Sequence, residues 1–173
     1  MTRFRTSVRK NVGMRIYLPA TSADLSRPAG LPPRWAHAVT AELRRALPDE
    51  DDEGLEASAM LAAADESVVH LRAASSAVPR RVVVAADVPD SGVVVPERAR
   101  PWQEGDDQLP SAVEVRSIVP WSDVVSIHVD EPGAEEAVTA ALTDDAAVDR
   151  AAEHDLLWHD IVEREVLARE LRG

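Results

Sequence analysis

Residues 80–86 read RRVVVAA, so two arginines lead into an uninterrupted apolar run. An apolar run of this length is typical of a strand that is covered on both faces. The chain is otherwise poor in aromatic residues, at 3%. We therefore expect a sheet whose core is built mainly from Val, Leu and Ala.

Outward from this run, apolar and polar residues alternate in several short segments, which predicts further strands. These strands are expected at residues 15–18, 113–117, 125–129 and 156–158. Apolar spacing of three and four residues predicts helices. The expected helices span residues 34–47, 53–74, 133–143 and 163–172.

The order of these elements suggests a fold class. If one strand is omitted, the order becomes βαββαβ, the ferredoxin-like arrangement. We therefore predict an α/β (α+β) protein, a ferredoxin-like βαββαβ variant with a four- to five-stranded sheet and helices mainly on one face. The second face would then be open and would need a partner or enough polar residues to tolerate water.

The length of 173 residues fits one domain, which we place at residues 14–173. Residues 1–13 form a basic leader with four basic side chains and no acid, and we expect it to be disordered. Either the leader is native, or translation starts at Met14 and the leader is a mis-assigned start. Residues 87–111 are rich in Pro, Gly, Asp and Glu and are expected to form a mobile loop.

Charge and composition exclude several function classes. The net charge is −12, and residues 14–173 carry 31 acids against 15 basic residues, which argues against nucleic acid and anionic membranes as partners. No apolar run approaches the ~20 residues of a membrane span, so we expect a cytoplasmic protein. The absence of cysteine rules out disulfides, a Cys-ligated zinc and a thiol nucleophile. Gly-rich phosphate-binding motifs are absent too, and no cofactor is indicated.

Five residues are candidates for ligand binding. Arg15 and Tyr17 share one face of the first strand, where an arginine suits a carboxylate or phosphate. His128 and Asp130 lie two apart on another strand and so point to one face. His37 is a candidate for proton transfer, because histidine is the residue type whose unperturbed side chain changes charge near neutral pH. The alternatives are charge pairing for Arg15, an ordinary polar strand face for His128 and Asp130, and a hydrogen-bonded helix histidine for His37.

Two further kinds of site are possible. Imidazole and carboxylate ligands suit a divalent transition metal, and the candidate ligands are His128, Asp130, His159 and Asp160. Trp102 lies in the expected loop and is a candidate for partner binding, since tryptophan is enriched at interface hot spots.

Several motifs resemble one family. Residues 14–21 (MRIYLPAT) are similar to the opening of a group of uncharacterised actinobacterial proteins. Five further segments are similar to the same group of proteins: residues 37–40 (HAVT), 47–51 (LPDED), 81–88 (RVVVAADV), 128–130 (HVD) and 156–158 (LLW). The resemblance runs from Met14 to about Val162. It implies a domain of unknown function and assigns no catalytic residues.

No catalytic motif stands in this otherwise well-patterned chain. Our first hypothesis is therefore a non-enzymatic protein-interaction or regulatory module that contacts a protein partner or a second copy through the open sheet face. The alternative is a small metal- or ligand-binding enzyme that uses the strand face of His128 and Asp130.

Overall fold

The computed structural model describes residues 13–74 and 78–172. Within them the chain forms one antiparallel sheet in the order β4-β5-β2-β1-β3-β6-β7. The strands are β1 (Gly13–Ala20), β2 (Arg34–Ala38), β3 (Val82–Pro89), β4 (Val93–Val94), β5 (Ala112–Val115), β6 (Val124–Asp130) and β7 (Leu156–His159). The helices are α1 (Ser22–Leu25), α2 (Ala41–Ala46), α3 (Asp52–Ala73), α4 (Glu135–Ala141), α5 (Val148–Ala152) and α6 (Arg164–Glu170). None of the described helices is long and apolar enough to cross a membrane.

The centre of the sheet is covered on both faces. Strands β1 and β3 pair along their whole length, and successive side chains alternate between the faces. On one face Ile16, Leu18 and Val84 pack in a cluster that includes Leu25 of α1 and Leu167 of α6. We call this the α1–α6 face.

The opposite face, which we call the α3 face, packs against the long helix. Tyr17 of β1 and Val83 of β3 contact a cluster that includes Leu55 and Ala59 of α3. The apolar run at residues 80–86 is thus a central strand, because both sets of alternating side chains are buried.

The predicted ferredoxin-like fold is wrong. The sheet has seven strands instead of four or five, and helices pack on both of its faces instead of mainly on one. In the predicted order, β1 and β3 would be the first and second strands, and a split βαβ arrangement would place another strand between them. In the structure these two strands pair directly. The prediction failed because two strands, β2 and β4, have no strong local pattern.

Strand β2 replaces the first half of the helix predicted at residues 34–47. Its residues pair with β1 on one side and with β5 on the other, so tertiary pairing overrides the helical spacing of the apolar residues. Only the second half is helical, as α2. The hydroxyl of Thr40 caps this helix by accepting a hydrogen bond from the backbone N–H of Leu43 at 3.0 Å.

The long helix predicted at residues 53–74 is confirmed as α3. The Asp51 carboxylate accepts a hydrogen bond from the Gly54 backbone N–H at 2.9 Å, so the acidic run at residues 49–53 provides the helix cap. The other predicted strands and helices correspond to β1, β3, β5, β6, β7, α4 and α6.

The segment predicted as a loop, residues 87–111, is partly regular. It contains the end of β3, a 3₁₀ turn and β4. Within the rest, the guanidinium of Arg98 donates to the carbonyls of Gln108 and Leu109 at 3.0 and 2.7 Å and so links two parts of the segment. The predicted leader falls on residues 1–12, which lie outside the described residues, and on Gly13, which begins β1.

Candidate functional site

A cleft of about 610 Å³ opens between β2 and α3. We call it the β2–α3 cleft. The loop before β5 and the region around α5 complete its walls. Its lining residues are Trp35, His37, Ala62, Asp65, Glu66, Val68, Val69, Arg72, Asp107, Gln108, Leu109, Ala112, Asp145 and Val148.

The imidazole of His37 links the cleft to the protein interior. His37 is 3% exposed, and its register opposite Tyr17 directs it to the α3 face. Its Nε2 atom lies 2.7 Å from Oε2 of Glu66, and its Nδ1 atom lies 2.8 Å from Oγ of Ser111. Because an ionised carboxylate only accepts, Nε2 carries the hydrogen toward Glu66. The imidazole therefore holds the Glu66 carboxylate in one position.

Serine, histidine and an acid meet here in the reverse order of a hydrolytic triad. In a serine hydrolase the serine faces the substrate and the acid lies behind the histidine. Here Ser111 is 2% exposed and lies behind His37, whereas Glu66 borders the cleft. The group presented to a ligand is thus the Glu66 carboxylate, and His37 and Ser111 position it.

A second carboxylate, that of Asp65, borders the cleft beside Glu66. Its Oδ1 atom is buried 3.5 Å from Nη1 of Arg81, and neither atom has a hydrogen-bond partner. The side chain as a whole is 45% exposed, so the rest of the carboxylate is accessible. Burial raises the pKa of the Asp65 carboxyl, and the charge of Arg81 opposes that rise.

Arg81 is itself neutralised by a different acid. Its guanidinium is fully buried, and it donates to Oδ1 of Asp130 from Nε at 3.0 Å and from Nη2 at 2.7 Å. The Asp130 side chain is also fully buried, and its Oδ2 atom accepts from the Arg81 backbone N–H at 2.7 Å. Asp65 is therefore the surplus negative charge of this network.

The five predicted ligand-binding residues share the α3 face, but they do not meet in one pocket. The register pairs Tyr17 with His37 on one side and with Ala85 on the other, and Ala85 pairs with Ser126. Each of the five side chains contacts a different neighbouring residue of the chain. Of the five, only His37 lines the β2–α3 cleft.

Arg15 and Tyr17 make local contacts. The Arg15 guanidinium donates to the Asp87 carboxylate at 2.5 Å, an exposed ion pair. The Tyr17 hydroxyl donates to Oε2 of Glu56 at 3.2 Å. Burial and the negative charge of Glu56 raise the pKa of Tyr17 to about 12.

The four predicted metal ligands are not brought together. His128 bonds to Ser126 with 3.0 Å between Nε2 and Oγ, and burial lowers its pKa. His159 pairs with Ile127 in the register and so points to the opposite face, where it approaches Glu163 at 3.4 Å. Asp160 caps the turn after β7, and Asp130 binds Arg81. Residues 13–74 and 78–172 contain no group of three or more His, Asp or Glu side chains that could hold a metal ion.

Trp102, the predicted partner-binding residue, is half-buried beside α2. Its backbone N–H donates to Oε2 of Glu42 at 3.2 Å. Its indole Nε1 atom is buried without a hydrogen-bond partner. Trp102 does not line the β2–α3 cleft.

Sequence reasoning missed Asp65, Glu66 and Ser111. The two acids directly follow three alanines of α3, residues 62–64, and a pair of acids inside such a helix was the available signal. Nothing in the sequence around Ser111 indicates that it contacts His37, because 74 residues separate them.

Fold and cleft together define an α/β protein with one antiparallel sheet and a partly apolar, acidic cleft on its α3 face. The chain belongs to the family of unknown function DUF6912, whose model matches residues 14–168. Neither the comparison with curated proteins nor the comparison with solved structures found a match. The function of this family is unknown, and the cleft is the feature from which we infer a function.

Proposed function

We propose that the protein binds a small organic ligand in the β2–α3 cleft. One observation carries the proposal: Trp35, Val69 and Leu109 are 42%, 56% and 43% exposed, and all three line this cleft. Apolar residues scattered over a surface need no explanation, but large ones gathered in a concave site mark a binding surface. Burial of these side chains by a ligand would supply the favourable free energy of binding.

The polar groups of the cleft supply orientation. Ligand sites are typically apolar clefts of about 300–1,000 Å³ with a few fixed polar groups. The Glu66 carboxylate is such a group, because the buried imidazole of His37 holds it at 2.7 Å. The hydrogen bond between His37 and Ser111 keeps the imidazole in place in turn.

A fragment screen by ¹H–¹⁵N correlation spectroscopy tests this proposal. We expect fragments that bind to shift the amide signals of β2, the middle of α3 and residues 107–112. The variant Ala62→Phe fills the cleft and should abolish these shifts. Leu61→Phe is the matched control, because Leu61 is the next residue of α3, is 43% exposed and does not line the cleft. Fragment shifts that survive in Ala62→Phe would refute the proposed site.

The interaction hypothesis now depends on a sheet edge, since helices cover both faces of the central strands. Strand β7 is an edge strand, and its Leu157 and Trp158 are 42% and 61% exposed. An edge strand with exposed apolar residues favours pairing with another strand. We propose self-association through β7 as a second candidate function.

Light scattering after size-exclusion chromatography tests the second candidate. We expect a dimer that dissociates in the variant Trp158→Lys. Leu61→Lys is the control, since it places the same charge at an exposed apolar position on α3. A monomer at every concentration, or a dimer unaffected by Trp158→Lys, would refute self-association through β7.

A further inference from the structure

The β2–α3 cleft has an unbalanced charge. Its lining includes the carboxylates of Asp65, Glu66, Asp107 and Asp145, and the one arginine among the described lining residues is Arg72. Arg72 is already engaged, because its Nη2 atom donates to Asp145 at 2.6 Å and to the Ala141 carbonyl at 2.7 Å. Three carboxylates remain without an arginine of their own in the cleft.

Behind the cleft the buried charges do not restore the balance. Arg81 is a buried cation that contacts Asp65, but Asp130 neutralises its charge through three guanidinium hydrogen bonds and one from the backbone N–H. Asp65 therefore keeps a carboxylate oxygen, Oδ1, that is buried without a hydrogen bond. Oδ1 faces Arg81 and is closed to solvent, so a donor in the cleft would bind the other oxygen, Oδ2, on the exposed side of the carboxylate. Such a charged donor would compensate the charge that Arg81 leaves unbalanced.

The apolar wall of the cleft also suits a cation. Trp35 borders the same space as Asp65 and Glu66. An indole attracts an ammonium or guanidinium group that approaches its face. Val69 and Leu109 complete an apolar surface for the rest of the ligand.

We infer that the ligand of the β2–α3 cleft is an organic cation, with an amine or guanidinium head at Asp65 and Glu66 and an apolar body against Trp35, Val69 and Leu109. This inference rests on the proposed function and names its ligand class. An anionic ligand would meet uncompensated carboxylates, and a neutral one would leave them unpaired. The overall charge of −12 raises the local concentration of cations as well.

Calorimetric titration with three matched probes tests the inference: phenylpropylamine, phenylpropionate and phenylpropanol share one apolar body and differ in the charge of the head. We expect the amine to bind with a Kd at least about tenfold lower than that of either other probe, because its charged head donates hydrogen bonds to the two carboxylates. Amide signals of the cleft should shift with the amine.

Variants locate the head group. Asp65→Asn and Glu66→Gln keep the shape and remove one charge each, and we expect each to raise the Kd of the amine about tenfold. Glu53→Gln is the control, since Glu53 is an exposed acid in the first turn of α3, outside the cleft. The Kd of the amine for Glu53→Gln should equal that for the natural chain. Amide spectra of all three variants establish that they are folded.

The possible failures of this inference and of the proposed function differ. If the three probes bind the cleft with equal Kd, or phenylpropionate binds best, the cation class is wrong and the cleft remains a binding site. If the amine shifts signals elsewhere, or no probe binds while other fragments fill the cleft, the cation class is also wrong. If no probe and no fragment shifts the cleft signals, both proposals fail together.

Discussion

The two faces of the sheet differ in the side chains that the central strands bury. On the α1–α6 face the buried side chains of β1 and β3 are hydrocarbon, as at Ile16 and Leu18. The α3 face also buries His37, Ser126, and the Arg81–Asp130 ion pair. Buried polar groups are costly unless they are paired, whereas hydrocarbon packing is favourable wherever it fits. The α1–α6 side buries an ion pair as well, in which Arg34 of β2 contacts Asp24 of α1 at 2.7 Å, so buried polar groups alone do not distinguish the faces. What sets the α3 face apart in our proposal is that His37 and its partner Glu66 lie at the β2–α3 cleft.

The largest expected effect comes from breaking the buried ion pair of the α3 face. Asp130→Ala leaves the guanidinium of Arg81 buried without its partner, and we expect a loss of about 3–5 kcal/mol in the free energy of unfolding. Urea denaturation measures it. Asp87→Ala breaks the exposed pair with Arg15 and should cost at most about 1 kcal/mol. Equal losses in the two variants would mean that the buried network does not support the α3 face.

Truncation of an apolar side chain separates the two faces in another way. Leu18 is fully buried on the α1–α6 face, and Leu18→Ala should lower the free energy of unfolding by about 2–5 kcal/mol. Val69 lines the cleft and is 56% exposed, so Val69→Ala should change it by no more than about 0.5 kcal/mol. Val69→Ala should instead weaken ligand binding. A large stability loss in Val69→Ala would show that the cleft wall is part of the core.

The single tyrosine gives a spectroscopic test of the α3 face. Tyr17 has its pKa raised to about 12 by burial and by Glu56, from 10.0 in an unperturbed tyrosine. The folded state therefore binds the phenolic proton more tightly than the unfolded state does. Its contribution to stability is fully present below pH 10 and is lost as the pH rises through about 12. The tyrosinate absorbance should rise near pH 12 in the folded protein, and a rise near pH 10 would contradict the contact with Glu56.

The smallest expected effect concerns Asp65. Burial raises the pKa of its carboxyl, so the folded state favours the protonated form and ionisation at neutral pH is destabilising. Asp65→Asn should therefore stabilise the protein at pH 7, by no more than about 1 kcal/mol because the side chain is partly exposed. The gain should shrink as the pH falls toward 3.8, where the unfolded carboxyl also binds a proton. A variant less stable than the original at pH 7 would show that the carboxylate of Asp65 is structural.

Local patterns in the sequence predicted some elements well. The long helix α3 and the central strand β3 were predicted because an Ala-rich helical pattern and an unbroken apolar run are each contained in one segment. Strand β2 was missed because its two neighbours, β1 and β5, are distant in the sequence and only their pairing makes it a strand. The open face was predicted wrongly for the same reason, since the sequence does not reveal which face α1 and α6 cover.

The candidate site is harder to predict than the fold. His37 was singled out from its residue type, but its partners Glu66 and Ser111 lie 29 and 74 residues away. The cleft itself is made by four separate segments that meet only in the folded chain. The resemblance to an uncharacterised family agrees with the match to DUF6912, which places the chain in a family without assigning a site.

Native mass spectrometry on protein purified gently from its own host tests the central claim most directly, because it asks whether the β2–α3 cleft holds a ligand. We expect a bound mass of a few hundred daltons, the size that suits a cleft of about 610 Å³, on the natural chain and on Leu61→Phe. The same mass should be missing from Ala62→Phe, in which the cleft is filled. A bound mass that persists in Ala62→Phe, or a natural chain that carries none, would contradict the account.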